Sequence, residues 1–292
     1  SLKIPLPHIP GSDISGEVAR VGAGVTNVKV GDRVMLQPGI SCGMCEKCAA
    51  GDDNLCKSYH IFGEAVNGGC AEHVAAPAGN CIPIPEGVSF EEAAAFPLVS
   101  LTAWHMLFAR ARLKPAETVL VLAAGSGVGS AAVQIAKAAG ARVIATAGSD
   151  AKLAKARELG ADEVINHSTE KISAEVRRLT GKRGVDVVFE HVGEATWSES
   201  VRSLTPGGRL VTCGATTGFN GAIDIRYLFT RQISLLGSFM GSKADLLAAV
   251  EFLKRGLLKP VIDVVLPLEK CAEAHRRLEN REQFGKVVLR VE

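Results

Sequence analysis

From Leu98 to about Leu257 the chain alternates short apolar runs with stretches of helical spacing, and this rhythm constrains the fold more than any other feature. TVLVLAA, RVIATA, EVIN, VDVVFEHV, RLVTCG and ISLLGSFM read as six strands, most of them preceded by a helical pattern such as AAVQIAKAAG or KLAKARELG. A strand that follows a helix returns parallel to its predecessor through a crossover, so the alternation predicts an α/β fold with a doubly wound parallel sheet. Before about Pro97 the texture differs. SGEVARVG, GDRVMLQP, AEHVAAP and CIPIP read as short β segments broken by Gly, Asn and Pro turns, which predicts an antiparallel, barrel-like unit. Beyond Leu257, VIDVVLPL and FGKVVLRVE flank one amphipathic helix, EKCAEAHRRLEN. The expected domains are therefore 1–97, 98–257 and a return segment 258–292 that rejoins the first.

Charge excludes some partners. Lysine plus arginine number 33 against 31 aspartate plus glutamate, a net of +2 that gives no whole-protein field for nucleic acid or an anionic membrane. The most apolar stretch, Ala93 to Ala109, contains Pro97, Ser100, Thr102 and His105 and does not read as a membrane span. SLKIPLPHIPGSD lacks the regions of a secretory signal, so a cytoplasmic chain is expected.

Four of the eight cysteines fall in SCGMCEKCAAGDDNLC, where Cys42, Cys45, Cys48 and Cys56 are spaced C-x2-C-x2-C-x7-C. Thiolates this close in sequence can close a tetrahedron around zinc. Two disulfides, four buried thiols or an iron–sulfur cluster are the alternatives. A four-cysteine zinc has no open coordination position, so one structural zinc per chain is expected. Cys70, Cys81, Cys213 and Cys271 are scattered among apolar neighbours and read as core residues.

In VLVLAAGSGVGSAAVQIAKAAG a strand ending near Ala123 leads into a turn with Gly125, Ser126, Gly127 and Gly129, and a helix opens at about Val128. Glycine lets the backbone turn tightly and carry its amides to a pyrophosphate at the positive end of the helix. With a second strand following, the segment predicts dinucleotide binding. The end of that second strand selects the dinucleotide. An acidic residue there would hold the ribose 2′-hydroxyl of NAD, but RVIATAGSDAK offers Ala147 and Gly148, followed by Ser149 and Lys152. A hydroxyl and a lysine without a facing carboxylate favour NADP(H). The alternative is an ordinary helix start with Ser149 as its cap, and Asp150 weighs on that side.

Taken in order, PGSDISGEVARVGAGVTNVKVGDRV, the cysteine lobe at about 41–57, GGCAEHV, the TAW segment, the glycine turn, LGAD and FGKVVL resemble the medium-chain dehydrogenase/reductase superfamily. The resemblance implies a Rossmann domain inserted in a partly open, GroES-like β-barrel catalytic domain. It places the structural zinc on Cys42, Cys45, Cys48 and Cys56, and the phosphate turn on Gly125 to Gly129, Val128 included. The 2′-phosphate contacts fall on Ser149, Lys152 and His167, and Thr102 falls beside the nicotinamide. Gly193, Gly214 and Gly237 close strands whose loops line the cofactor cleft. A homodimer or homotetramer is implied, often through the last strand of the nucleotide sheet, here ISLLGSFM.

The resemblance fails at the catalytic zinc. Where zinc-dependent relatives carry Gly-His-Glu, this chain has Gly11-Ser12-Asp13, and Leu98 stands where they have a further ligand. Their first ligand would precede Ser1, and about 50 residues of the family pattern are expected upstream. The reading is an oxidoreductase moving hydride between NADP(H) and a small carbonyl, enone or quinone without catalytic zinc. A zinc-dependent alcohol dehydrogenase with substitute ligands from Asp13, His60 or Glu64, and a cofactor-binding sensor without turnover, are the alternatives. Ser12, Asp13, His60, Glu64 and His105 are the polar candidates near the cleft, and none is assigned as acid or base.

Overall fold

Short runs of alternating polarity give short strands in the amino-terminal part. The computed structural model describes residues 4 and 6–291, and within it the chain forms two units, 1–101 with 240–254 and 259–292, and 102–239 with 255–258. In the first unit the strands are β1 (Ser15–Glu17), β2 (Arg33–Leu36), β3 (Gly39–Ile40), β4 (His60–Ile61) and β5 (Cys81–Pro83). β1, β2 and β5 form an antiparallel sheet in that order, and β3 pairs with β4. Val34, Leu36 and Phe62 are its buried centre, with Ile14, Val18, Val74 and Ala76 packed against them. AEHVAAP, expected as a strand, forms no ladder among the described residues. Its Val74 and Ala76 supply core contacts, but Pro77 has no amide to donate and no neighbouring strand pairs with the segment.

Helix α1 (Glu46–Ala49) lies in the cysteine lobe. Helix α2 (Phe90–Ala94) starts at Ser89, whose hydroxyl accepts the Glu92 N–H at 3.1 Å while the Ser89 N–H donates to Glu92 at 2.9 Å, a reciprocal cap. Pro97, which needs no amide partner, opens α3 (Pro97–Trp104).

The second unit is built on β6 (Thr118–Val121), α4 (Gly127–Ala138), β7 (Arg142–Ala147), α5 (Asp150–Glu158), β8 (Glu163–Asn166) and α6 (Ile172–Leu179). It continues through β9 (Val185–Glu190), α7 (Glu194–Ser203), β10 (Leu204–Thr212), α8 (Ile225–Thr230) and β11 (Ser234–Gly237). Six parallel strands lie in the order β11-β10-β9-β6-β7-β8. Helices cover both faces of such a sheet, so its middle strands must be apolar throughout, and every residue of β6 and β9 is buried. Leu120, Ile144, Val188 and Leu210 sit in the core cluster. The strand order reverses between β6 and β9, which is where doubly wound sheets open a crevice at the carboxyl ends of their strands.

The chain then adds α9 (Lys243–Lys254), β12 (Ile262–Pro267), α10 (Cys271–Glu279) and β13 (Lys286–Arg290) to the first unit. β12 and β13 run parallel, with Val265 beside Val288.

Candidate cofactor site and metal centre

β6 ends at Val121 and α4 begins at Gly127, two residues earlier and one residue earlier respectively than the sequence pattern places them. The cause is Ser126. As the N-cap of α4 it accepts the Gly129 N–H on its Oγ at 2.9 Å, so the helix starts directly after it. A side chain at Gly129 would bring its Cβ within 2.5 Å of the Ala123 carbonyl, so only glycine lets the turn close against the strand. The turn thus leaves Gly127 and Val128 in the first turn of α4, at the positive end of the helix dipole.

At the end of β7, Ala147 is buried and no carboxylate follows it until Asp150, which is occupied by the Asn166 amide at 3.0 Å. Ser149 holds the N-cap position of α5, but its hydroxyl caps no amide. Lys152 is half-buried on the first turn of that helix. His167, just past β8, stands beside Gly148: a Cβ there would lie 3.1 Å from His167 Nε2. Thr146 ties these pieces together. Its hydroxyl accepts the Ala123 N–H at 3.1 Å and lies 3.1 Å from His167 Nδ1. The contact holds the ring with Nδ1 toward Thr146 and Nε2 beside Gly148.

Gly193 follows β9 with a left-handed φ of +94°, and a Cβ there would meet Ala215 and Gly218 at 2.8 Å. Gly214 follows β10 and has the His191 carbonyl 2.9 Å from its would-be Cβ. Gly237 closes β11 in open space, its carbonyl accepting Arg110 Nε at 2.7 Å. The parallel sheet therefore brings the glycine turn, Ser149, His167, Gly193, Gly214 and Gly237 to one edge, the carboxyl ends of its strands. Thr102 is buried on α3, and its hydroxyl has no hydrogen-bond partner among the described residues.

Two residues at that edge escape the sequence pattern, Glu190 and His191 at the end of β9. Glu190 is fully buried and its carboxylate accepts the amides of Val192 (2.6 Å) and Gly193 (3.1 Å) and the hydroxyls of Thr196 and Ser200. It fixes the loop in which Gly193 turns. His191 Nε2 lies 2.9 Å from the Leu122 carbonyl and 3.4 Å from Ser126 Oγ, and burial pushes its pKa down, so a neutral ring braces the glycine turn. The detectable signal is a Glu-His pair closing a mostly apolar strand, VDVVFEH.

In the first unit the sulfurs of Cys42, Cys45, Cys48 and Cys56 all lie within 4.8 Å of one another. Cys42 and Cys48 are 3.9 Å apart and Cys45 and Cys48 3.5 Å, close to the roughly 3.8 Å edge of a tetrahedron with zinc–sulfur bonds near 2.3 Å. All four are free thiols. Cys56 Sγ accepts the N–H groups of Cys42 (3.5 Å) and Ser58 (3.4 Å), and the amides of Met44 and Cys45 pull the Cys42 pKa down while, against the Cys48 amide, sharing a proton with the Cys48 thiol pushes the neighbouring Cys45 up. Amide donors of this kind stabilise thiolates, the form that binds metal. The cluster fits zinc.

Among the described residues no other group of three or more His, Cys, Asp or Glu side chains is gathered for one ion. Asp13 is committed elsewhere: Oδ1 accepts the Leu98 N–H at 2.7 Å and Oδ2 the Lys286 ammonium at 2.6 Å. His60 is exposed on β4, while Ser12, Glu64 and His105 are half-buried. Gly11 packs backbone to backbone with Gly63 and Gly68, whose would-be Cβ atoms lie 2.6 Å from Gly11 N and 2.2 Å from Gly11 O.

A doubly wound sheet with a capped glycine turn, in one chain with a barrel-like unit bearing a four-cysteine lobe, defines an NAD(P)-dependent oxidoreductase. The alcohol dehydrogenase GroES-like domain family matches residues 2–86, and the zinc-binding dehydrogenase family matches residues 127–255. The chain is similar to an alcohol dehydrogenase of Geobacillus stearothermophilus, 34% identical over 293 residues covering 100% of this chain and 85% of the relative. It is similar as well to quinone oxidoreductase-like protein 2 of Bos taurus, 34% identical over 294 residues, with 97% and 76% covered. Of solved structures, a crystal structure of an NAD-dependent alcohol dehydrogenase superposes with a TM-score of 0.96 at 51% identity, covering 100% of this chain and 85% of that one. The chain belongs to the medium-chain dehydrogenase/reductase superfamily.

Proposed function

We propose that this oxidoreductase uses NADP(H) to reduce a small conjugated carbonyl, an enone or a quinone, with one structural zinc and no catalytic one. The observation that carries the reading is Asp13. Both of its oxygens are taken, by Leu98 and Lys286, in the segment where zinc-dependent relatives place a ligand, and its neighbours there are Ser12 and the aliphatic Leu98. When bound, the nicotinamide supplies the hydride. In this reading residues 98–257 hold the dinucleotide, with the turn from Gly125 to Gly129 cradling the pyrophosphate. Ser149, Lys152 and His167 hold the 2′-phosphate, and the unpaired hydroxyl of Thr102 meets the nicotinamide end. Gly193, Gly214 and Gly237 keep the approach open. The conjugated substrate is favoured because its delocalised anion needs only hydrogen-bond donors. Residues 1–97 and 258–292 form the substrate side, with Cys42, Cys45, Cys48 and Cys56 on zinc.

A homo-oligomer formed along β11 is part of the proposal. β11 is an edge strand, and Phe219, Ile225 and Phe229 of the same unit are exposed large apolar residues. No helix among the described residues is long and apolar enough to cross a membrane, and the proposed location is the cytoplasm.

The similarity to an NAD-dependent alcohol dehydrogenase favours a second reading, NAD-linked alcohol oxidation at a catalytic zinc. Metal analysis with cofactor kinetics separates the two. The first predicts about one zinc per chain and loss of NADPH preference, by about tenfold or more in KM, on replacing Ser149 and Lys152 with alanine. Two zincs per chain with preference for NADH would replace it by the second.

A further inference from the structure

The nucleotide-binding unit has a second concave feature at the opposite edge of its sheet, where β9 and β10 begin. Arg177 and Arg202 come from the last turns of α6 and α7, Arg231 follows α8, and Lys182 and Arg183 come from the turn before β9. These five cations line one cleft of about 350 Å3, and no carboxylate is in its lining. The geometry points to a binding site for a compact, multiply charged phosphate ligand, at the scale of pyrophosphate, separate from the dinucleotide edge.

Charge arithmetic decides between a ligand site and simple neutralisation of helix ends. A helix carboxyl end carries roughly half a negative charge, so three of them offer about −1.5. Asp186 adds one more, as the partner of Arg183 at 2.6 Å. Five cations exceed that sum by about two to three charges. Arg177, Lys182 and Arg202 form no ion pair among the described residues.

Arg231 is already set for an incoming anion. Its guanidinium lies 4.9 Å from the centre of the Tyr227 ring and donates to the Leu204 carbonyl at 2.8 Å, while its Nε is buried with no acceptor. A buried N–H without an acceptor carries a desolvation cost, and it belongs to a side chain that lines the cleft. The backbone shapes the cleft as well. Lys182 takes a left-handed φ of +69° between Gly181 at +57° and Gly184 at +91°, and β10 slips register between Leu204 and Arg209, so Thr205 and Pro206 bulge into the wall. Leu204 and Pro206 are the lining's apolar side chains, with no aromatic ring for a base, so the phosphates themselves are what the cleft recognises.

The test is calorimetric titration of inorganic pyrophosphate into the full chain saturated with whichever of NADPH or NADH it binds, at about 0.15 M salt. Saturation fills the dinucleotide site, so remaining binding reports the cleft. The site predicts one pyrophosphate per chain, held at least about tenfold tighter than orthophosphate or sulfate. Replacing the exposed Arg177, Lys182 and Arg202 together with serine should weaken it by about tenfold or more with melting temperature and cofactor KM unchanged. Arg231→Lys, which keeps the charge and loses the fork, should weaken it severalfold. Pyrophosphate binding that disappears on cofactor saturation, that sulfate equals, or that survives the triple substitution would overturn the proposal.

Discussion

The ammonium of Lys286 stands 2.6 Å from Oδ2 of Asp13, a pair 273 positions apart in the chain. The carboxylate is almost buried, with 9% of its side chain exposed against 24% for the lysine. The contact fastens the last strand to the segment ahead of β1, and Arg290 does the same to Glu91 at 2.7 Å. Removing one partner of such a pair leaves the other desolvated without compensation. Asp13→Asn should therefore cost about 1–3 kcal/mol in denaturant unfolding while zinc per chain stays unchanged. A zinc content that fell with this substitution would make Asp13 a metal ligand and remove the basis for zinc-free catalysis.

What was legible in the sequence is what short-range chemistry dictates. The central strands could be read because each is a run of residues that a covered sheet must bury, as in β6 and in β9, where even Asp186 and Glu190 are enclosed. The glycine turn was legible because the Ala123 carbonyl leaves no room at Gly129 for a side chain. The cysteine cluster was legible because all four sulfurs come from one lobe. Partners distant in sequence were not: nothing near Asp13 indicates Lys286, and Arg177, Arg202 and Arg231 meet only because three helices end together. AEHVAAP shows the opposite failure, a strand-like alternation that packs without pairing. The roles of Glu190 and His191 likewise depend on where β9 ends relative to the turn after β6.

Cys45→Ser should release the lobe's metal. An exposed loop with little apolar material has small packing energy of its own, so metal binding supplies much of its order. Elemental analysis should fall from about one zinc per chain to near zero, with a lower melting temperature. Unaltered zinc and melting temperature would refute the four-cysteine assignment.

Gly129 and Gly237 make a paired test of the cofactor edge. A methyl group at Gly129 would press on the Ala123 carbonyl at 2.5 Å and on Ser126 Oγ at 2.8 Å, whereas one at Gly237 meets nothing within 4 Å. Gly129→Ala should cost about 1–3 kcal/mol and raise the cofactor KM roughly tenfold. Gly237→Ala should stay within about 0.5 kcal/mol of the parent protein. Equal KM values for the two variants would show that the turn does not approach the cofactor.

Acid should weaken the nucleotide-binding unit through Asp186. Burial pushes its pKa up, but the Arg183 guanidinium, hydrogen-bonded at 2.6 and 3.0 Å, and the Thr118 N–H at 2.8 Å push it down further, so the net shift is downward. Glu117 beside Arg209 and Asp162 beside Lys137 are lowered in the same way. A carboxyl whose folded pKa lies below its unfolded value, about 3.9 for aspartate, stabilises the fold above the unfolded value and loses that contribution as pH falls through the folded one. Asp186→Asn should lower stability at neutral pH by about 1–2 kcal/mol, and the gap to the parent protein should begin to narrow below about pH 5 and close only as pH falls through the folded pKa, below the unfolded value of about 3.9. Denaturant midpoints across that range decide it: a gap that stays constant would mean that the amide disturbs packing and that the ionised Asp186 contributes nothing through its charge.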